Sequence, residues 1–277
     1  SIFMYDMGIE ERWERPFTAK RYLHGPFSEY MYTLWADLKV LCGVVEEKTH
    51  GYRSSAFRIL RGAALREPDF RKTRSIARDD GIPIHALSYD YGDLVLHMEA
   101  FCDTGTRVPS VYTKLTITSN SHEPITDQLA LLPRTGREDH LVGMEVDGYA
   151  HFDSNVHNFG FLPSKWRRDG ESRLTDGEYE IFIGENDGFQ TQWQAEKAGA
   201  VWYQRHLLLL RFELDPAETK TLTLRMRPCS DAPGTFSYRM EYEKSLQFWN
   251  AQLGKIRRVP ASERHQAIVR NLVLQCL

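Results

Sequence analysis

The chain has 277 residues, of which 42% are hydrophobic and 26% charged, and its formal net charge is -3. Such a composition describes a globular chain able to bury a large core, and it excludes the clustered Lys and Arg by which nucleic acid or an anionic membrane is bound. No apolar run approaches the roughly 20 residues of a membrane span, and the first residues, SIFMYDMGIEERWERPF, lack the basic start and apolar stretch of a signal peptide. A cytoplasmic location is therefore the expectation.

From residue 32 onward the pattern is strand and turn. Residues 32–45 (YTLWADLKVLCGVV) alternate, residues 82–103 read as two strands joined at Tyr91-Gly92-Asp93, and residues 110–121 put Val111, Thr113, Leu115 and Ile117 on one face. Period two with β-branched and aromatic enrichment marks a half-buried strand. The same signal predicts strands over 125–133, 140–153, 179–185, 200–214 and 219–228, the last two joined by the turn DPAE. Asp-Gly occurs at 80, 147, 169, 176 and 187, a dipeptide that suits tight turns because both residues tolerate positive φ. Repeated between alternating runs, it predicts antiparallel hairpins, and no amphipathic helix long enough for a parallel crossover precedes residue 237. The basic stretch 58–78 is interrupted by Glu67 and Asp69 and reads as a solvated edge.

Near residue 235 the period changes. Tyr238, Tyr242, Leu246, Trp249 and Leu253 form one helical stripe, with Thr235 or Ser237 as cap and Gly254 as stop. After Pro260 a second helix is expected over 262–277, apolar nearly all round, as in a helix covered on every side. The fold class expected is mainly β: a large antiparallel β-sandwich over 1–236, then a helical linker and the start of an α-helical domain over 237–277.

Cys42, Cys102, Cys229 and Cys276 lie far apart without a CxxC pair, so reduced thiols are expected and no zinc site is signalled. No metal or cofactor is predicted, and no phosphate-binding loop, dinucleotide fingerprint or nucleophile elbow occurs. Ser54 in GYRSS lacks a base context. His151 and Asp153 would share a strand face near His140 and His157 and could serve as metal ligands or as an acid and base, although polar residues at a strand end need no such role. Glu178, Glu180, Glu185 and Asp187 suggest the paired carboxylates of a glycosidase; alternatively, Glu178 and Glu180 form the wet face of a strand and Asp187-Gly188 a turn. The stretch 155–172 lacks regular patterning and carries Phe159, Phe161, Trp166, Arg167 and Arg168. Aromatic faces suit pyranose rings and Arg suits hydroxyls, so Trp166 and Arg167 are the candidate substrate-binding residues. The alternative is that this stretch packs on a neighbouring domain. Trp193 and Trp202 are expected in the core.

The order of parts resembles the N-terminal β-supersandwich region of the six-hairpin glycosidase superfamily, which includes the glycoside phosphorylases with an (α/α)6 barrel. The resemblance is carried by the linker YEKSLQFWNAQLGKIRRVP, by the apolar helix ERHQAIVRNLVLQCL, by DDGIPIHALSYDYGDLVLHMEAFCD with Gly81, Pro83, Glu99, Ala100 and Phe101, and by YTKLTITSNSHEPIT. It implies a non-catalytic sandwich whose catalytic carboxylates lie beyond Leu277, so no catalytic residue is assigned here. It also implies a carbohydrate substrate and a helical catalytic domain or chain packing on 266–277, with self-association of the isolated chain through that segment. Two other readings stand beside it. One is a self-sufficient aldose epimerase of the mutarotase-like kind, drawing on His140, His151 and Glu145. The other is a carbohydrate-binding module.

Overall fold

The computed structural model describes residues 20–23, 31–36, 38–46, 51–66, 68–69, 72–76, 78, 80–106, 108, 110–137, 165–197 and 204–255. Within them the chain forms two antiparallel sheets and one α-helix. The seven-stranded sheet runs, in spatial order, β1 (Lys20–Leu23), β2 (Met31–Trp35), β3 (Lys39–Glu46), β4 (Gly51–Arg61), β9 (Ile125–Arg137), β14 (Gln204–Leu214) and β13 (Gln190–Lys197). The eight-stranded sheet runs β10 (Arg167–Asp169), β11 (Arg173–Thr175), β12 (Tyr179–Asn186), β15 (Thr219–Pro228), β8 (Val111–Ser119), β7 (Leu94–Cys102), β6 (His85–Asp90) and β5 (Arg74–Ile76).

Alternation explains the layering. Along β7, Leu94, Leu96, Met98, Ala100 and Cys102 point into the core, and along β14 Leu208, Leu210, Phe212 and Leu214 meet them from the other sheet. The expected antiparallel sandwich is thus present. Cys42 and Cys102 are free thiols buried in this core, and burial pushes the Cys42 thiol up to about 12. Trp193 packs against the same core, whereas Trp202, Cys276 and the predicted elements 140–153 and 262–277 lie outside the described residues.

Several local expectations change. The run 32–45 is two strands, split where Leu38 takes a φ of 60°. Asp169-Gly170 and Asp176-Gly177 do close hairpins, between β10 and β11 and between β11 and β12. Asp187-Gly188 and the DPAE turn do not: each carries the chain from one sheet to the other, because β12 and β15 belong to the eight-stranded sheet and β13 and β14 to the seven-stranded one. Arg167–Asp169, expected without regular structure, is an edge strand, and 155–164 lies outside the described residues.

The helix α1 (Tyr238–Leu253) begins as predicted at Ser237, whose side chain accepts from the Met240 N–H. Its stripe seats on the outer face of the eight-stranded sheet. Tyr238 and Trp249 are buried against Phe101, Tyr112, Ile82 and Ile84, with Tyr242, Leu246 and Leu253 packed around them. Polar contacts set its register: Ser245 Oγ donates to the Cys102 carbonyl at 3.1 Å, and Tyr238 Oη donates to Glu99 Oε1 at 2.8 Å. Burial, then the neighbouring Glu99, pushes the Tyr238 hydroxyl well above its usual range.

Candidate functional site

Two polar regions stand out on this scaffold. The first lies on the outer face of the eight-stranded sheet, beside α1. Strand register places Arg173, Phe182, Arg225 and Tyr112 in one row across β11, β12, β15 and β8, with Glu180 and Arg227 paired in the row next to it. Three guanidinium groups surround one aromatic ring, with Arg225, Arg227 and Arg173 at 4.9, 5.3 and 5.9 Å from the Phe182 centroid. Glu180 is 1% exposed and takes three charge-assisted hydrogen bonds. Arg227 Nε donates to Oε1 at 2.6 Å, and Arg173 Nε and Nη2 donate to Oε2 at 3.0 and 2.8 Å. The expected wet-face role for Glu180 is therefore corrected: β12 has the predicted alternation, but residues 229–236 cover its outward side.

That covering segment is held through its backbone. Arg225 Nη2 donates to the carbonyls of Pro233 and Gly234 at 2.7 and 3.0 Å, and Arg227 Nη2 donates to that of Ala232 at 2.6 Å. Burial, then the positive charge of Arg227, lowers the Arg225 pKa. With Glu180 held between Arg173 and Arg227, and with Arg225 Nη2 and Arg227 Nη2 turned toward backbone carbonyls, this cluster anchors the chain between β15 and α1. Its chemistry is that of a clamp.

The second region is a groove of about 480 Å³ at one end of the sandwich, lined by Thr126 and Gln128 of β9, Gln190 of β13, Arg211 and Glu213 of β14, and Lys220 of β15. Strand pairing sets Gln190 beside Arg211 and Arg211 beside Gln128, with Glu213 beside Thr126 one row on. Neighbouring strands are about 4.8 Å apart, so these side chains form a small grid of donors and acceptors. Phe212 contributes an apolar patch. Gly188, at a φ of +82°, brings the turn close: a Cβ there would stand 2.8 Å from Lys220 Nζ.

Asp127, which also lines the groove, is engaged through both carboxylate oxygens. Its Oδ2 accepts from Arg61 Nε at 2.8 Å and its Oδ1 accepts from the Gln128 N–H at 2.8 Å. Arg61 also donates from Nη1 and Nη2 to Asp93 at 2.6 Å each, which ties the two sheets together. Burial opposes the Arg61 charge, but these hydrogen bonds outweigh it and raise its pKa. In return, the hydrogen bonds from Arg61 hold the Asp93 carboxyl below its ordinary value against the opposing effect of burial.

The sequence-predicted residues are dispersed. Trp166 is 2% exposed within the main core, and its carbonyl lies 2.6 Å from His206 Nδ1. Arg167 is exposed on edge strand β10, far along the sheet order from β5. Arg168 donates to the Gly170 and Glu171 carbonyls of its own hairpin and, across to β13, to Thr191 Oγ1 at 3.0 Å. Glu185 and Asp187 are exposed near the end of β12. His140, Glu145, His151, Asp153, His157, Phe159 and Phe161 lie outside the described residues. Among the described residues, no three His, Cys, Asp or Glu side chains gather as a metal-binding group, and no helix is long and apolar enough to cross a membrane. Sequence reasoning missed the groove. Its signal, the polar ends of β9 and β14, becomes visible only once β9, β14 and β13 are known to be neighbours.

No protein-family model and no curated protein matches the sequence. Solved structures do match, among them one named "Putative kojibiose phosphorylase from human microbiome", at 12% identity and a TM-score of 0.34. The match covers 95% of this chain, which spans only 35% of that one. At such identity and TM-score it bears on neither activity nor ligand.

Proposed function

We propose that this chain is the N-terminal, non-catalytic β-sandwich part of a carbohydrate-active enzyme that cleaves glycosidic bonds by hydrolysis or phosphorolysis, with its catalytic carboxylates beyond Leu277. The observation that supports this reading most is the seating of α1 on the outer face of the eight-stranded sheet, through Phe101, Tyr112, Tyr238 and Trp249. There the sandwich serves as the base for a helical segment, as the family resemblance of the linker and of the Glu99-Ala100-Phe101 strand implies. The clamp of Arg225 and Arg227 on residues 232–234 adds to it, since a rigid junction orients whatever follows α1.

On this reading residues 1–236 are the supporting domain, residues 237–277 lead into the helical domain, and 266–277 are the contact with it. When that contact is missing, the same segment pairs copies of the chain. The enzyme acts in the cytoplasm on a carbohydrate, and Arg167, on its exposed edge strand, contributes to substrate contact. The test is to translate the complete reading frame and assay it on a disaccharide panel, with and without inorganic phosphate. Cleavage by a product extending several hundred residues past Leu277 is expected. A reading frame that stops at Leu277 would overturn the proposal.

A further inference from the structure

We propose that the groove between β9, β14, β13 and β15 is an accessory saccharide site, one that binds an uncharged sugar without reacting with it. This rests on the carbohydrate reading above and goes beyond it by naming a place and a ligand chemistry. Three observations carry it.

The first is size: about 480 Å³ falls within the roughly 300–1,000 Å³ of small-molecule sites. The second is the set of groups presented. Two primary amides, a guanidinium, a carboxylate and a hydroxyl stand on paired strands, and among the described residues the side chains of Gln128, Gln190, Arg211 and Glu213 make no hydrogen bond or ion pair. Amide and carboxylate groups take or give paired hydrogen bonds, and guanidinium gives them in a planar fork. Vicinal hydroxyls, each both donor and acceptor, match such a surface. The third is charge. Lys220 is matched by Glu218 at 2.9 Å and Asp127 by Arg61 at 2.8 Å, which leaves Arg211 and Glu213 to cancel one another. A neutral polyol suits that balance better than a phosphate or a uronic acid, which would meet Glu213 without a surplus of positive charge.

The same geometry argues against chemistry in the groove. Cleaving a glycosidic bond takes two working carboxylates. Both Asp127 oxygens are occupied by Arg61 and by the Gln128 N–H, so Glu213 is the one lining carboxylate free to move a proton.

The experiment is a titration of the 277-residue chain with glucose, maltose, glucose 1-phosphate and glucuronic acid, followed by calorimetry and by protein NMR. Wild type, Arg211→Ala, Gln128→Ala and, as a control on the exposed side of α1, Arg239→Ala are compared, with circular dichroism confirming that each is folded. Saturable binding of the neutral sugars, weakened about tenfold or more by Arg211→Ala and unchanged by Arg239→Ala, is expected. Absence of saturable neutral-sugar binding to the folded wild type would overturn the site, as would binding that survives Arg211→Ala and Gln128→Ala, or tighter binding of the charged sugars. These outcomes are separate from cleavage by the complete gene product, so the groove can fail while the functional proposal stands, and the reverse.

Discussion

Glu180→Ala is the most informative single change in the scaffold. The carboxylate is 1% exposed and neutralises two guanidinium groups, but the partners are not equivalent. The Arg227 side chain is 9% exposed, while that of Arg173 is 33% exposed and retains Asp169 at 2.6 Å. Losing Glu180 therefore strands one buried cation, Arg227, while water and Asp169 take over much of the role for Arg173. Removing one partner of a buried pair typically costs about 3–5 kcal/mol, and the exposure of Arg173 places this case near 3 kcal/mol. Urea unfolding should show a lower midpoint with the slope unchanged. Glu180→Gln, which keeps an acceptor but loses the charge, should fall between Glu180→Ala and wild type. Replacing the pair with Glu180→Leu and Arg227→Met should restore much of the loss, because apolar side chains need no counter-charge. A midpoint for Glu180→Ala within about 0.5 kcal/mol of wild type, the range of an ordinary surface change, would refute the reasoning by showing that solvent reaches Arg227.

Trp249→Ala removes the most buried aromatic of α1, 1% exposed, and should cost about 3–5 kcal/mol. Hydrogen exchange should then quicken over 238–253 while β7 and β8 keep their protection, and unchanged exchange in the helix would contradict the seating described. The pH response has a definite sign. With its pKa lowered by Arg61, Asp93 contributes stability that is fully present above its unfolded value near 3.8 and lost as the pH falls through the lower folded value. Arg61→Met should therefore flatten the decline of the urea midpoint on the acid side of pH 4, and an equally steep decline would show that the clamp is not the source.

The elements legible in the sequence are those whose neighbours are local. The β6–β7 hairpin, β8, β15 and α1 follow from alternation, from Gly92 in its turn and from the Tyr238-to-Leu253 stripe. The strand β4 was not legible because both its faces are buried: Ser55 and Arg58 sit at 0% and 6% exposure and break the apolar alternation a reader looks for. The strand β13, QTQWQAEK, is a polar edge strand with little apolar signal. Turns at Asp187-Gly188 and Asp215–Glu218 are visible as turns, but nothing local says whether the chain stays in its sheet or crosses to the other. For the same reason the Arg and Glu row on β11, β12 and β15 reads as a wet face, since its cover arrives from residues 229–236. The groove depends on four strands that meet in space but lie far apart in the chain, Thr126 of β9 standing with Glu213 of β14 and Lys220 of β15. Trp166 was legible as a large aromatic ring beside arginines, and only the folded core shows which side of the sheet its indole enters.

The central claim is that this sandwich supports catalysis carried out elsewhere. Incubating the purified 277-residue chain with glucose anomers and with a panel of disaccharides, with and without phosphate, and following the mixtures by proton NMR tests that claim directly. The account predicts spectra that change no faster than in buffer alone, and accelerated anomer exchange or cleavage of any disaccharide by this chain would contradict it.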